Sequence, residues 1–166
     1  MQKPLIDYLP SRFWLMKTEP DVFSFSDLEQ RLGQCEQWDG VRNYQARNFM
    51  MQEMKVGDKI LFYHSNAQPS GIAGLAEVVE AAKPDLTALN PKSEYYDPKA
   101  TPENPRWYAV TVGKPKKLHR FVSLAELREY EPLKEMLLLR KGQRLSILPV
   151  SQTEFNHILQ LAILHK

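Results

Sequence analysis

At 166 residues the chain is the length of one domain, set against roughly 150 residues per domain, and 43% apolar with 25% charged residues is enough to bury a core. Apolar runs such as Met136 to Leu139 fall short of the roughly 18 residues of a membrane span, and Pro4 and Asp7 interrupt the stretch that a secretion signal needs. One cysteine rules out an internal disulfide, and a net charge of +2 is too small to name a partner, so the chain reads as soluble and intracellular, without a membrane.

Residues 1–11 read as an N-terminal extension ahead of a single domain over 12–166. Arg12 to Lys17 is apolar and aromatic-rich, which predicts a buried strand stopped by Pro20. A short helix follows, opened either by a Ser26 and Glu29 capping box or by Ser24 with Phe23 and Leu28 as a staple, and closed at Gly33. Gln34 to Val41 reads as a loop or irregular strand around Gly40. Asn43 is an N-cap for a helix through about Met54 that places Ala46, Phe49, Met50 and Met54 on one face. Lys59 to Ser65 and Gly71 to Val79 read as paired strands.

Five prolines between Lys83 and Arg106 predict a loop with at best a brief strand at Tyr95-Tyr96. Strand character resumes over Trp107 to Val112. No acidic residue falls between Asn104 and Ala125, where Arg106, Lys114, Lys116, Lys117 and Arg120 cluster. That segment suits a phosphate backbone, or equally a strand edge whose lysines discourage further pairing. Ser123 with Glu126 and Ser151 with Glu154 are capping boxes, and Pro132 starts a helical turn between them. Gln143 to Val150 is the last strand, and Phe155, Ile158, Leu159, Ala162 and Ile163 form the apolar stripe of the last helix. Strands interleaved with short helices, without a regular βαβ rhythm, give an α+β domain around a small mixed barrel.

The motifs of metal sites, nucleotide-binding loops and nucleophile elbows are missing, and the four histidines, His64, His119, His157 and His165, show no ligand spacing. No cofactor is expected and no catalytic residue is assigned, although Glu19, Asp39, Asp97 and His64 are of the types that make acid–base pairs. The stretch from Trp38 to Asn48 is more suggestive. Within eleven residues it holds a tryptophan, a tyrosine, two arginines and two asparagines. Aromatic rings stack on bases, arginine pairs with phosphate or guanine, and asparagine matches a base edge. The same residues can equally pack under a loop and satisfy its carbonyls. His64-Ser65-Asn66 at a strand end is a second candidate wall, and Tyr95-Tyr96-Asp97 a candidate lid.

Trp14-Leu-Met-Lys17-Thr-Glu19-Pro20, the Trp38 to Asn48 stretch, Leu61 to Asn66, Pro105-Arg106-Trp107 and Arg144 to Val150 together resemble the EVE domain family from about Arg12 to the C-terminus. The resemblance implies a PUA-like fold, a small mixed β-barrel with flanking short helices, related to YTH and ASCH domains and to the SRA readers of methylated DNA. It implies a non-enzymatic monomer that binds DNA or RNA and holds a modified nucleobase, modified cytosine above all, in an aromatic pocket. On that resemblance the pocket residues are Trp14, Lys17, Glu19, Trp38, Arg42, Asn43, Tyr44, His64, Ser65, Asn66, Tyr96 and Trp107. Arg47, Arg106, Lys114, Lys116, Lys117 and Arg120 would meet the nucleic-acid backbone. Eukaryotic members carry a basic N-terminal extension absent here, which implies a bacterial, cytoplasmic setting. Two other readings stay open: an enzyme acting on a nucleotide or small metabolite, and a protein-interaction module.

Overall fold

A computed structural model describes residues 12–164; the expected N-terminal extension and His165 lie outside them. Six strands form one mixed sheet: β1 (Phe13–Thr18), β2 (Cys35–Gln37), β3 (Lys59–His64), β4 (Gly71–Pro84), β5 (Tyr108–Ser123) and β6 (Ile147–Val150), in the order β2-β5-β4-β3-β1-β6. β1 lies between β3, to which it is parallel, and β6, to which it is antiparallel. That interior place explains its unbroken apolar reading, because both of its faces are covered. Trp14 and Met16 enter one core with Phe62 and Trp38, and Leu15 enters a second core with Leu61, Leu148 and Phe155.

β4 and β5 are 14 and 16 residues long and pair antiparallel through four register shifts, so the ribbon bends as it crosses the sheet. The expected barrel stays open. β2 and β6, three and four residues long, end the strand order without pairing to each other. The basic segment is no loop: Lys114 to Arg120 lies within β5.

The helices are α1 (Phe25–Gln30), α2 (Tyr44–Asn48), α3 (Leu124–Glu129) and α4 (Gln152–Ile163). Such short helices need side-chain caps to satisfy their first amides. Ser24 supplies the first, in a capping box with Asp27, while Ser26 sits inside the helix and accepts from the Gln30 side chain. Ser123 with Glu126 and Ser151 with Glu154 form the other boxes. Asn43 caps α2, which widens into a π-helical turn over Phe49–Glu53 instead of running on as α-helix; the Met54 amide then bonds the Phe49 carbonyl, and Ala46, Met50 and Met54 stay buried. In α4 Leu161 takes the buried place expected of Ile163, which is 54% exposed. The last strand is shorter than expected, since only Ile147–Val150 pairs with β1. No strand forms at Tyr95-Tyr96, where Tyr95 ends a turn, and the loop around them is held by Asp97 N–H to the Ala88 carbonyl at 2.9 Å. Among the described residues no helix is long and apolar enough to cross a membrane.

Candidate nucleic-acid site

The end of β1, the turn after it, β2 and the loop that follows enclose a cleft of about 440 Å³, closed on one side by Glu94-Tyr95. Its size is that of small-ligand sites. Trp38 and Phe23 supply its aromatic surface. Trp38 is only 7% exposed, with edge-on contacts to Phe23 at 6.1 Å and Phe62 at 5.4 Å between ring centroids. Its backbone is fixed by an N–H bond to the Val110 carbonyl, 2.8 Å.

The three tryptophans separate cleanly by what their indole N–H groups do. Trp14 donates to Asp58 at 2.9 Å and Trp107 to Asp97 at 2.7 Å. Trp38 Nε1 makes no hydrogen bond among the described residues, and its ring is the one that lines the cleft. Its N–H is not among the buried polar atoms left unpaired, so it is accessible to solvent or to a ligand. Around it stand groups of both charges. Lys17 is half-buried, without a carboxylate partner among the described residues, and that burial lowers its pKa. Asp39 is pushed up, first by desolvation and then by the negative charges of Asp85 and Glu36, against the pull of Arg42. In both groups burial weakens the charged form, which a ligand offering a hydrogen-bonding edge would stabilise.

The rim is built by Asp85, 1% exposed, which accepts from Gly40 N–H at 2.9 Å, Thr87 N–H at 3.0 Å and Arg42 Nη1 at 3.0 Å. Arg42 also donates to the carbonyls of Val41 and Tyr95 and to the Thr87 hydroxyl. Gly40 has φ +81°, and a Cβ there would come within 2.7 Å of the Tyr95 ring. Glycine is therefore required where Tyr95 closes over the cleft.

Of the residues expected at the pocket, Lys17, Glu19, Trp38 and Arg42 line the cleft. Trp14 does not: at 1% exposure it is core, its N–H on Asp58. Asn43 uses its side-chain oxygen to cap α2. Tyr44 and Trp107 stack on each other at 5.0 Å and 17°, with Arg47 4.6 Å over Tyr44 and Arg42 5.2 Å over Trp107. Arg106 joins that stack by bonding Tyr44 and Asp97, and Arg47 bonds the Arg106 carbonyl. His64 accepts the Phe25 N–H on Nε2 at 3.1 Å, and desolvation lowers its pKa despite Asp27. Ser65 N–H bonds the Thr18 carbonyl, and Asn66 reaches only the outer side of Glu19, at 2.6 Å. Tyr96 is outside the cleft; Tyr95 takes that position.

Among the basic residues, Lys114, Lys116 and Lys117 are exposed. Arg120 is occupied elsewhere, donating to the carbonyls of Leu161 and Leu164 at the end of α4 and pairing with Glu126 at 2.7 Å. Sequence reasoning missed Phe23 and Arg31 as cleft residues and Asp85 as the rim, though the Asp-x-Thr spacing after Pro84 was a readable capping signal; of the expected lid, Tyr95 is the residue that lines the cleft.

The EVE domain model matches residues 12–161. The chain belongs to the EVE domain family. Human thymocyte nuclear protein 1 is 44% identical over 168 residues, covering 91% of this chain and 74% of its own. A crystal structure of human THYN1 protein in complex with DNA containing 5-methylcytosine superposes with a TM-score of 0.89 at 43% identity, covering 94% of this chain and 100% of that one. A protein of Pseudomonas syringae, 48% identical, gives 0.84 over 91% and 99%. The open six-stranded sheet described above is therefore the EVE domain architecture.

Proposed function

We propose that this EVE domain is a non-enzymatic reader of DNA that takes a modified cytosine, flipped from the duplex, into the Trp38 cleft. The observation that carries the reading is the Trp38 ring, the one indole without an internal acceptor, lining a cleft between a cation and a carboxylate. Likeness over the whole chain to a human protein crystallised with 5-methylcytosine DNA supports the ligand class. Cytosine fits the polar groups. Its O2 and N3 accept, matching Lys17, and its exocyclic amine donates, matching the Asp39 carboxylate. Stacking on one aromatic ring is worth about 1–3 kcal/mol, while a buried methyl adds only about 0.8 kcal/mol, so the ring sets affinity and the methyl a modest preference. An acid–base role for His64 is disfavoured because its Nε2 lone pair is already held by Phe25 N–H.

The test is fluorescence-polarisation binding of duplex DNA, single-stranded DNA and RNA, each with cytosine or 5-methylcytosine, to the wild type, Trp38→Phe and Trp38→Leu. Trp38→Leu is expected to lose about tenfold or more on methylated DNA and Trp38→Phe much less, with circular dichroism showing both folded. Equal binding of all probes, unaffected by Trp38→Leu, would reject the reading, and a stronger response to RNA would move it to the other nucleic acid.

A further inference from the structure

One apolar side chain on the rim contributes nothing to the fold. Leu32 is 98% exposed, the most exposed of the large apolar residues described. It stands at the tip of the turn that joins α1 to β2, directly after Arg31, a residue of the cleft wall. The turn itself is firmly tied. Gln34 N–H donates to the Arg31 carbonyl at 2.8 Å, the Gln34 side chain to the Glu29 carbonyl at 3.1 Å, and the Arg31 guanidinium pairs with Glu36 and lies 5.2 Å over the Phe23 ring. Gly33 and Gln34 both take positive φ, +71° and +50°, so the chain bends sharply enough to leave Leu32 projecting. A second apolar side chain, Val22, lines the same cleft and is 58% exposed.

Single exposed leucines are common, and exposure alone would mean little. The surroundings make this one specific. β2 begins beside the turn, with Cys35 opposite Gly113 in β5, and Gly113 is followed by the exposed lysines 114, 116 and 117. Lys117 Nζ comes within 4.0 Å of Glu29 on α1. A fixed apolar knob thus follows a residue of the cleft wall and precedes the strand that pairs with the basic strand, an arrangement suited to a duplex that loses one base from its stack. Other DNA-bending proteins push a Leu, Ile, Met or Phe wedge between base steps while neighbouring cations hold the phosphates, and a base flipped out of the stack leaves a space of the same kind for an apolar side chain.

We infer that Leu32 is such a wedge, entering the base stack as the modified cytosine swings into the Trp38 cleft, an inference that rests on the function proposed above. Leu32 touches no core residue, so substitution leaves the fold intact. The experiment compares Leu32→Ser and Leu32→Met with the wild type on three probes: a paired duplex with one 5-methylcytosine, the same duplex with that base opposite an abasic site, and the methylated single strand. A 2-aminopurine beside the methylated base reports unstacking. Leu32→Ser is expected to weaken binding to the paired duplex about tenfold and to suppress the 2-aminopurine signal, with less than about twofold change on the single strand and an intermediate loss opposite the abasic site. Leu32→Met should keep most of the wild-type behaviour. Equal loss on all probes, or none on the paired duplex while the wild type still prefers methylated DNA, would overturn the wedge and leave the reader intact. Absence of any methylation preference in the wild type would overturn both.

Discussion

The motif from Trp38 to Asn48 divides into two halves that the fold uses in opposite ways. In the half from Arg42 to Asn48, nearly every polar or aromatic group is already engaged: Arg42 on Asp85 and Tyr95, Asn43 on the α2 cap, Tyr44 on Trp107 and Arg106, Arg47 on the Arg106 carbonyl. In the half from Trp38 to Gly40, the indole N–H is free of any described partner and the Asp39 carboxyl is displaced from its ordinary pKa. The same residue types therefore build scaffold in one place and line the cleft of the proposed binding site in the other. What separates them is whether their hydrogen bonds are satisfied inside the protein.

The largest test of that division is Asp85→Ala. It leaves the Arg42 guanidinium and the Gly40 amide without their shared acceptor and should lower unfolding stability by about 3 kcal/mol in urea titrations. Burial opposes the Asp85 charge, but bonds from Thr87, Gly40 and Arg42 outweigh it and hold the carboxyl below its usual range. That stability is complete above the unfolded carboxylate value and disappears as pH falls through the lowered one, so the gap between wild type and variant should narrow in acid. A weaker effect separates the lysines from Arg120. Each of Lys114→Ala, Lys116→Ala and Lys117→Ala should reduce the salt dependence of DNA binding by about 0.9 in log–log slope, for every lysine that meets a phosphate. Arg120→Ala should leave the slope unchanged and lower stability by about 1 kcal/mol, because it uncaps α4.

Asp39→Asn sharpens the open half. If the ionised carboxylate receives the cytosine amine, affinity rises as pH climbs through its raised pKa and falls below it. In the Asn variant that rise should be absent and the neutral-pH affinity lower by about fivefold, read by polarisation titrations. The smallest change is expected from Tyr44→Ala. It should lower stability by about 1 kcal/mol through the lost ring stack and alter methylated-DNA binding by less than about twofold. A larger binding loss would move Tyr44 from the scaffold to the site.

What the sequence conveyed follows the range of the interactions. Capping boxes at Ser123 and Ser151 were readable because cap and partner lie three residues apart, and for α1 the choice of Ser24 over Ser26 was settled only by how Phe23 packs into the core. The cleft residues Lys17, Glu19, Trp38 and Arg42 carried the family motif. The cap at Asp85 was readable from its Asp-x-Thr spacing, whereas its bond to Arg42 spans 43 residues and was not, and within the Tyr95-Tyr96-Asp97 lid Tyr95 is selected over Tyr96 by the grip of Arg42 on its carbonyl. Trp14 was misplaced because it carries the family motif together with Lys17 and Glu19, and only Asp58, 44 residues away, shows that its N–H is taken inside the core. Leu32 carried no signal in the sequence, since its exposure follows from the bend that Gly33 and Gln34 impose with their positive φ.

The pairing of β1 with β6 brings Phe13 opposite Val150, and Arg120 in β5 grips the end of α4. During synthesis, then, the first strand to leave the ribosome must wait for almost the last. Until residues 147–150 emerge, the apolar β1 has one edge open to other chains, and the second core lacks Leu148, Phe155 and Ile158. Closure of the described sheet is in that sense late, with β1 and β6 pairing at one edge of a sheet whose middle has been available for some time.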